Sequence, residues 1–217
     1  MKPLKLKDVL NELYSEDFNA IKDLVKKYAN KFAKRGIHVG QSIGSGDRGI
    51  AFSTTDNKVL KITIDQKEAI SSFHIVGKKL KHVCQIYDVF TIPGTKFYCI
   101  LQEQLTKIQE GTPLKKVLRD QGTFLYMKLG IFKEGPESDM YMRQKLVELV
   151  KEYVGNDAEL NKVYRQVRGL KEAEKELESN NIDFADWHVG NIMLRGDDLV
   201  VIDLGNSHAA KVSLPEL

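Results

Sequence analysis

The chain has 217 residues, of which 42% are hydrophobic and 29% are charged, and its net charge is +3. This composition supports a sizeable buried core, in one compact domain or two lobes, and the small net charge does not predict nucleic-acid binding. No apolar run approaches the ~18 residues of a membrane span and the start, MKPLKLKDVL, lacks a signal-peptide core, so we expect a cytoplasmic protein with no membrane partner.

Residues 1–36 are predicted to form a helical extension, with a helix that begins near Ser15 and carries Glu16 and Asp17 in its first turn. Its apolar residues recur at helical spacing and predict a face packed on the rest of the protein: Phe18, Ile21, Leu24, Val25, Tyr28 and Phe32. Basic residues crowd its second half: Lys22, Lys26, Lys27, Lys31, Lys34 and Arg35. Acid at the start and base at the end suit the helix dipole, which favours a solvated face over a nucleic-acid surface.

Residues 44–49 read GSGDRG, a Gly-x-Gly-x-x-Gly pattern that dinucleotide-binding folds share. In those folds a helix opens at the third glycine, whereas here residues 50–55 continue as a strand, turn at Asp56-Asn57 and return over residues 58–64. A Walker-type loop is also absent from the pattern, since no Gly-Lys-Ser/Thr follows. The glycines are therefore predicted to lie in a turn between two strands.

Lys61 lies in the returning strand, where the alternation of side chains allows it to lie beneath the glycine turn. A lone strand lysine is ordinarily an exposed edge residue, but beside such a turn Lys61 is a candidate for gripping phosphate groups. It needs an acidic partner, and the nearby choices are Asp65 and Glu68. Glu68 is favoured, because residues 65–80 are predicted to form a helix with Glu68 in its first turn. The inward residues of that helix are predicted to be Ala69, Phe73, Val76 and Leu80.

The middle of the chain is predicted to be a strand followed by a largely helical region. Residues 97–101 form the apolar strand, and residues 111–136, with turn signals at both ends, are predicted to be a less regular, substrate-facing insertion. One helix is predicted over residues 138–154. A second is predicted to be capped at Asn156 or Asp157 and to run to Asn180.

Residues 183–207, DFADWHVGNIMLRGDDLVVIDLGNS, place Asp186 and Asn191 five positions apart and Asp203 twelve positions beyond Asn191. Short apolar runs on both sides of Gly196-Asp197-Asp198 predict a tight hairpin with Asn191 at the base of one strand and Asp203 at the end of the other. Two oxygen ligands held at one end of a stiff hairpin suit magnesium. The turn carboxylates Asp197 and Asp198 are interpreted as solvated loop residues.

The order of these features over residues 37–207 resembles the protein-kinase-like fold. Within it, the strings DWHVGNIM and MLRGDDL are most similar to small serine/threonine kinases encoded by lytic bacteriophages, which phosphorylate host proteins. The resemblance implies an α+β, reduced bilobal fold. It places an antiparallel-sheet N-lobe over residues 37–105 and a short, mainly helical C-lobe over residues 106–217.

The resemblance also implies ATP and Mg²⁺ as cofactors and proteins of the host cytoplasm as partners. Asp186 would accept the proton of the substrate hydroxyl, while Asn191 and Asp203 would hold magnesium. Lys61, steadied by Glu68, would grip the α- and β-phosphates. The residues of the glycine turn and of the adenine-binding hinge would be Gly44, Ser45, Gly46, Gly49, Glu103 and Leu105.

The sequence departs from the protein-kinase pattern at three places. Phe184-Ala185 stand where His-Arg ordinarily precede the catalytic Asp, so no arginine is available there to read a phosphorylated activation loop. His188 stands where protein kinases favour Lys; it is interpreted either as a weaker clamp on the γ-phosphate or as a buttress that hydrogen-bonds the loop. Only residues 206–217 follow the Asp-Leu-Gly, which leaves no room for an activation segment or a helical substrate platform.

Two other functions stay open beside a protein kinase. A small-molecule phosphotransferase similar to the aminoglycoside kinases is favoured by His188 and by the missing platform. A nucleotide-binding pseudokinase that inhibits a host partner is favoured by the short C-terminal end, although a pure binder has no need of Asp186.

Cys84 and Cys99 lie in apolar, strand-like surroundings and are expected to be reduced packing residues. The five histidines show no metal-ligand spacing with them, so neither a disulfide nor a zinc site is predicted.

Overall fold

The computed structural model describes residues 6–46, 48–119, 140, 144, 147–148, 154–205 and 207–217, with side chains described from residue 18 onward. The chain divides into two compact units. The first comprises Met1–Lys78, Gln85–Gln104 and Ala210–Leu217, and the second comprises Lys79–Cys84 and Leu105–Ala209. The architecture is α+β, as predicted. Within the part of the chain that the structure describes, no helix combines the length and hydrophobicity that a bilayer crossing requires.

The first unit is built on a five-stranded antiparallel sheet with the strand order β1-β2-β3-β5-β4. Its strands are β1 (Val39–Gly46), β2 (Gly49–Thr54), β3 (Lys58–Thr63), β4 (Ile86–Thr91) and β5 (Tyr98–Glu103). The predicted hairpin between β2 and β3 is confirmed, and Asn57 in its turn has a φ of 57°, a left-handed conformation that Asn tolerates better than most residues. Residues 86–91, for which the sequence pattern predicts no strand, form the edge strand β4.

Helix α1 (Leu6–Lys34) packs its apolar face on this sheet. Ile21, Leu24 and Phe32 are buried in one cluster with sheet residues such as Leu60 and Phe90. The helix begins earlier than the predicted start near Ser15. Glu16 and Asp17 therefore lie inside the helix, and the acidic pair that suggested a first turn does not mark one.

Arg35, predicted to belong to the solvated basic face, instead contacts three parts of the first unit. Its Nη1 lies 2.8 Å from Oδ2 of Asp88, its Nη2 donates to the carbonyl of Glu216 at 2.7 Å, and its guanidinium lies 4.6 Å from the ring centroid of Phe90. The five lysines named with it lie on the exposed surface of α1, as the solvated-face interpretation predicts.

The last residues of the chain run beside β4. The N–H of Thr91 donates to Pro215 at 2.8 Å, and the N–H of Leu217 donates to Thr91 at 2.9 Å. Residues 210–217 thus belong to the first unit, whereas the sequence placed all of residues 106–217 in one C-terminal lobe. The N-terminal helix, predicted as a separate extension, also belongs to the first unit.

Helix α2 (Gln66–His74) follows β3 directly and is shorter than predicted. Asp65 caps its N-terminus, and at its C-terminus Ile75 leaves helical geometry while Gly77 takes a φ of 73°. Ala69 is buried as predicted, but Val76 and Leu80 lie beyond the helix. In the sequence, apolar residues recur at helical spacing up to Leu80, which made the predicted helix too long. The chain turns at Gly77, and the helix ends before it.

The second unit contains helix α3 (Asp157–Glu178), which is capped by the side chain of Asn156, one of the two predicted candidates. Its buried stripe includes Val163, Val167, Leu170 and Leu177. Residues 113–119 are also helical, as are residues 140, 144, 147 and 148. The rest of the predicted helix over residues 138–154, apart from Val154, and residues 120–136 of the predicted insertion lie outside the described residues.

Two short strand pairs complete the second unit. Strands β7 (Ile192–Arg195) and β8 (Asp198–Val201) form the predicted hairpin, with Gly196 at a φ of 61° in its turn. Strands β6 (Asp183–Phe184) and β9 (Ser207–His208) pair with each other. The described part of the second unit thus contains two short strand pairs beside its helices.

Both cysteines are buried free thiols, as predicted. Burial raises the pKa of the Cys99 thiol well above its usual value. Its thiolate, the reactive form, is correspondingly scarce.

Candidate active site

The sequence predicted that the glycines of residues 44–49 lie in a turn between two strands, but they lie in the paired ends of β1 and β2, with Gly44 opposite Ala51, Ser45 opposite Ile50 and Gly46 opposite Gly49. The name glycine turn is kept below for residues 44–49. Its glycines differ in what surrounds them. A Cβ on Gly49 would lie 2.5 Å from the carbonyl oxygen of Ile62, so only glycine fits against β3 there. A Cβ on Gly44 or Gly46 would meet no described atom within 4 Å. Gly49 therefore serves packing, whereas the space that a Cβ on Gly44 or Gly46 would occupy holds no described atom.

Lys61 lies in β3 between Ala51 of β2 and Ile100 of β5. Its Nζ forms an ion pair with the carboxylate of Glu68 in the first turn of α2, which is the pairing predicted from the sequence. The Lys61 side chain is 18% exposed and that of Glu68 is 3% exposed. Because a charge in such surroundings is costly without a partner, each of these two groups holds the other in place.

Asp65, the other acidic residue considered as a partner for Lys61, contacts the start of α2 and Arg48 instead. Its Oδ1 accepts the N–H groups of Lys67 and Glu68, at 2.9 and 3.3 Å. Its Oδ2 lies 2.5 Å from Nη1 of Arg48, a residue of the glycine turn itself. No sequence feature pointed to Arg48 beyond its position within the turn.

The predicted hinge residues Glu103 and Leu105 lie on either side of the division between the units. The N–H of Glu103 donates to the carbonyl of Gln85 at 3.0 Å, and its Oε1 accepts the N–H of Gln85 at 2.6 Å. Glu103 thus fastens the start of β4 to the end of β5, a structural role that the sequence did not indicate. The N–H of Leu105 has no hydrogen-bond partner among the residues that the structure describes.

In the second unit, Asp186 lies in a loop that a buried aromatic pair anchors. Trp187 donates from its indole N–H to the carbonyl of Phe184 at 3.1 Å, and the two rings pack edge to face with centroids 4.9 Å apart. Phe184 is therefore part of the anchor. The carboxylate of Asp186 remains 28% exposed.

His188 is held by contacts within the same loop. Its Nδ1 accepts the N–H of Gly190 at 3.0 Å, which caps the 3₁₀ turn Val189–Asn191, and its Nε2 lies 3.6 Å from Oδ1 of Asp186. A Cβ on Gly190 would lie 2.8 Å from the imidazole ring, so a larger residue there would displace His188 from this position. Since Nδ1 is the acceptor, the neutral ring carries its proton on Nε2, toward Asp186. These contacts match the buttressing role that was one of the two sequence interpretations.

Asn191 connects the Asp186 loop to the hairpin. Its Nδ2 donates to the carbonyl of Asp186 at 3.2 Å, and its own carbonyl accepts the N–H of Ile202 at 3.0 Å, one residue before Asp203. Its side-chain Oδ1 has no hydrogen-bond partner among the described residues. Oδ1 of Asp203 accepts the N–H of Gly205 at 2.9 Å. The sequence-predicted trio is thus held by backbone hydrogen bonds.

The groups that the sequence analysis expected to hold magnesium are an amide oxygen at Asn191 and a carboxylate at Asp203. This donor set fits Mg²⁺, which prefers oxygen and is ordinarily held by one or two carboxylates together with substrate phosphates and water. Across the described ranges there is no group of three or more His, Cys, Asp or Glu that could hold a metal by itself.

The turn carboxylates Asp197 and Asp198 contact lysines instead. Asp197 lies 2.8 Å from Nζ of Lys162, and Asp198 lies 3.4 Å from Nζ of Lys81. The hydrogen bond from Lys162 lowers the pKa of the Asp197 carboxyl from its usual 3.8. These contacts leave the interpretation of both residues as turn carboxylates unchanged.

Comparison with protein-family models matches no family, and comparison with curated proteins gives no match.

Proposed function

We propose that this chain is an ATP- and magnesium-dependent phosphotransferase with a reduced protein-kinase-like fold. Its activity would be that of a phage-type serine/threonine protein kinase acting on host proteins. The observation that carries the proposal is the Lys61–Glu68 ion pair on the strand that packs against Gly49 of the glycine turn. A largely buried lysine fixed by a helix glutamate is the arrangement that phosphoryl transfer uses to grip the α- and β-phosphates.

The first unit would bind the nucleotide. Gly44 and Gly46 leave room for phosphates at the backbone of the turn, and Lys61 supplies the positive charge. The carbonyl of Glu103 and the N–H of Leu105 are the groups proposed to meet the adenine. Because Glu68 is almost fully buried, it fixes where the ammonium group of Lys61 stands before any ligand arrives.

The second unit would supply the base and the metal ligands. Asp186 accepts the proton of the attacking hydroxyl, while its backbone is fixed by Asn191 and its side chain faces Nε2 of His188. Asn191 and Asp203 would hold Mg²⁺, which neutralises charge on the transferring phosphate when bound. Because hydrogen bonds to backbone groups hold the residues proposed as metal ligands, the loop would already be ordered when the metal binds.

A small-molecule acceptor is the second candidate. The residues that follow the Asp-Leu-Gly are used in strand pairing, since Ser207 and His208 pair with β6 and residues 210–217 run beside β4. Neither pairing resembles an activation segment that could dock a peptide. A compact alcohol-bearing substrate would need no such platform.

The test is to incubate the purified chain with γ-labelled ATP, Mg²⁺ and a bacterial lysate, beside the Asp186→Asn and Asp183→Asn variants. Asp183 is an exposed carboxylate three residues upstream and serves as the matched control. Labelled protein that appears with wild type and Asp183→Asn but not with Asp186→Asn supports the protein kinase. Label in small molecules alone supports the second candidate. ATP binding with no transfer to any acceptor would overturn both and leave a nucleotide-binding pseudokinase.

A further inference from the structure

Arg48 is fastened by both its backbone and its side chain to the segment that joins β3 to α2. Its carbonyl oxygen accepts the N–H of Ile64 at 2.9 Å and the hydroxyl of Thr63 at 3.1 Å. Its Nη1 lies 2.5 Å from Oδ2 of Asp65. The tip of the glycine turn is therefore tied to the start of α2 by two kinds of contact.

The two carboxylate oxygens of Asp65 contact different groups. Oδ1 caps α2 by accepting the N–H groups of Lys67 and Glu68, and Oδ2 receives Arg48. The Asp65 side chain is only 6% exposed, whereas that of Arg48 is 59% exposed. A buried carboxylate held by several donors has little freedom, so the position of the Arg48 side chain is set by the helix cap.

Glu68 completes the connection. Its backbone N–H is held by Asp65, and its carboxylate holds Lys61. One continuous series of contacts thus runs from the glycine turn through Arg48 and Asp65 to the Lys61–Glu68 pair.

We propose that Arg48 is a positioning residue that couples the glycine turn to the phosphate-gripping lysine through Asp65. The inference deepens the proposed function and rests on it for the identity of the ligand, a nucleoside triphosphate. Ordering the turn over the phosphates orders the lysine, and ordering the lysine orders the turn, because coupling between two sites is reciprocal. Arg48 acts on the ligand through the turn, since its guanidinium is engaged by Asp65.

The coupling is tested by substitutions that remove the Arg48–Asp65 ion pair and leave the N-terminal cap of α2 in place. Asp65→Asn removes the charge that engages Arg48 but keeps an oxygen at Oδ1 to cap α2, because Asn is as good an N-cap as Asp. Arg48→Gln removes the other partner, and Arg48→Lys keeps the positive charge as the conservative variant. Lys58→Gln is the matched control: Lys58 lies 2.5 Å from Asp56, in an ion pair at the next turn of the same sheet.

The first measurement is amide hydrogen exchange on the nucleotide-free protein. Arg48→Gln and Asp65→Asn are each expected to speed exchange both at residues 48–50 and in the first turn of α2, with Arg48→Lys intermediate. Lys58→Gln is expected to leave both segments as in wild type. Unchanged exchange at either segment in both Arg48→Gln and Asp65→Asn overturns the coupling.

The second measurement is calorimetric affinity for ATP with Mg²⁺. Each of the two variants is expected to raise Kd about five- to tenfold, and the double variant no more than one alone, because both remove the same contact. A loss in Arg48→Gln that Asp65→Asn does not share would make Arg48 a direct phosphate ligand and overturn the positioning role. If wild type binds no ATP, the proposed function fails, and the exchange measurement still decides whether the turn and the helix are coupled.

Discussion

The two units hold their candidate site residues by different physical means. In the first unit, Lys61, Glu68, Asp65 and Arg48 are held largely by charged side chains that come from different elements. In the second, Asp186, His188 and Asn191 are held by hydrogen bonds to backbone groups, mostly within five residues of each other. One site depends on partners brought together by folding, and the other on local chain geometry.

This difference predicts different responses to substitution. Removing one member of a largely buried ion pair leaves the other charge unpaired, so stability and ligand binding should fall together. Changing a side chain whose loop is held by backbone bonds should leave the fold intact and alter the chemistry alone.

Asp186→Asn should lower phosphotransfer turnover by roughly 10²- to 10⁴-fold, the usual contribution of a positioned general base. Nucleotide affinity and thermal stability should stay close to wild type, because the carbonyl of Asp186, which Asn191 holds, is unchanged. Steady-state kinetics, calorimetry and a melting curve measure the three quantities. A variant that unfolds would show that the second unit depends on this side chain after all.

Glu68→Gln should destabilise the first unit by about 2–3 kcal/mol, since a lysine that is mostly buried loses its charged partner. Affinity for ATP should fall with it. Asp56→Asn is the control, because it removes the more exposed partner of Lys58 in the same sheet and should cost at most about 1 kcal/mol. Equal urea midpoints for the two variants would contradict the contrast.

Gly49→Ala should destabilise the sheet by about 1–3 kcal/mol, because its Cβ would lie 2.5 Å from a backbone oxygen of β3. Gly46→Ala meets no described atom within 4 Å and should leave stability nearly unchanged while weakening ATP binding. Urea unfolding and calorimetry on the pair separate packing from ligand access. Loss of stability at Gly46 equal to that at Gly49 would remove the distinction between the glycines.

Lys162→Gln should raise the pKa of Asp197 back toward its usual 3.8, because the hydrogen bond that lowers it is lost. A lowered folded-state pKa stabilises the fold at pH values above about 4, and that contribution disappears as the pH falls below the folded-state value. Wild type should therefore be slightly more stable than the variant near neutral pH, where this exposed pair contributes, and the two proteins should converge in acid, where Asp197 is protonated in both. An NMR titration of its carboxyl in both proteins measures the shift, and an unchanged titration would contradict the assignment.

Local patterns predicted much of what the structure contains. The alternation in residues 50–64 predicted the β2–β3 hairpin, the apolar runs around Gly196 predicted the β7–β8 hairpin, and Asn156 was a recognisable helix cap. Each of these rests on contacts between residues close in the chain. The early start of α1 was missed because the acidic residues of its interior imitate the acidic first turn of a helix.

The partners that come from distant parts of the chain had no comparable signal. Nothing in the sequence indicates that Arg35 reaches Asp88 and Glu216, that Glu103 holds Gln85, or that residues 210–217 run beside β4.

By itself, the sequence determined the α+β class, the hairpins and the spacing of Asp186, Asn191 and Asp203, because side-chain periodicity and turn chemistry act over a few residues. Glu68 could be chosen over Asp65 from helix position, but the contacts by which Asp65 joins the helix cap to Arg48 arise only on folding. The close approach of β3 to Gly49, which has no counterpart among described atoms at Gly44 and Gly46, also arises only on folding. Such choices depend on which atoms of separate elements come within hydrogen-bond or van der Waals distance, and that is fixed only when the sheet and helix pack together.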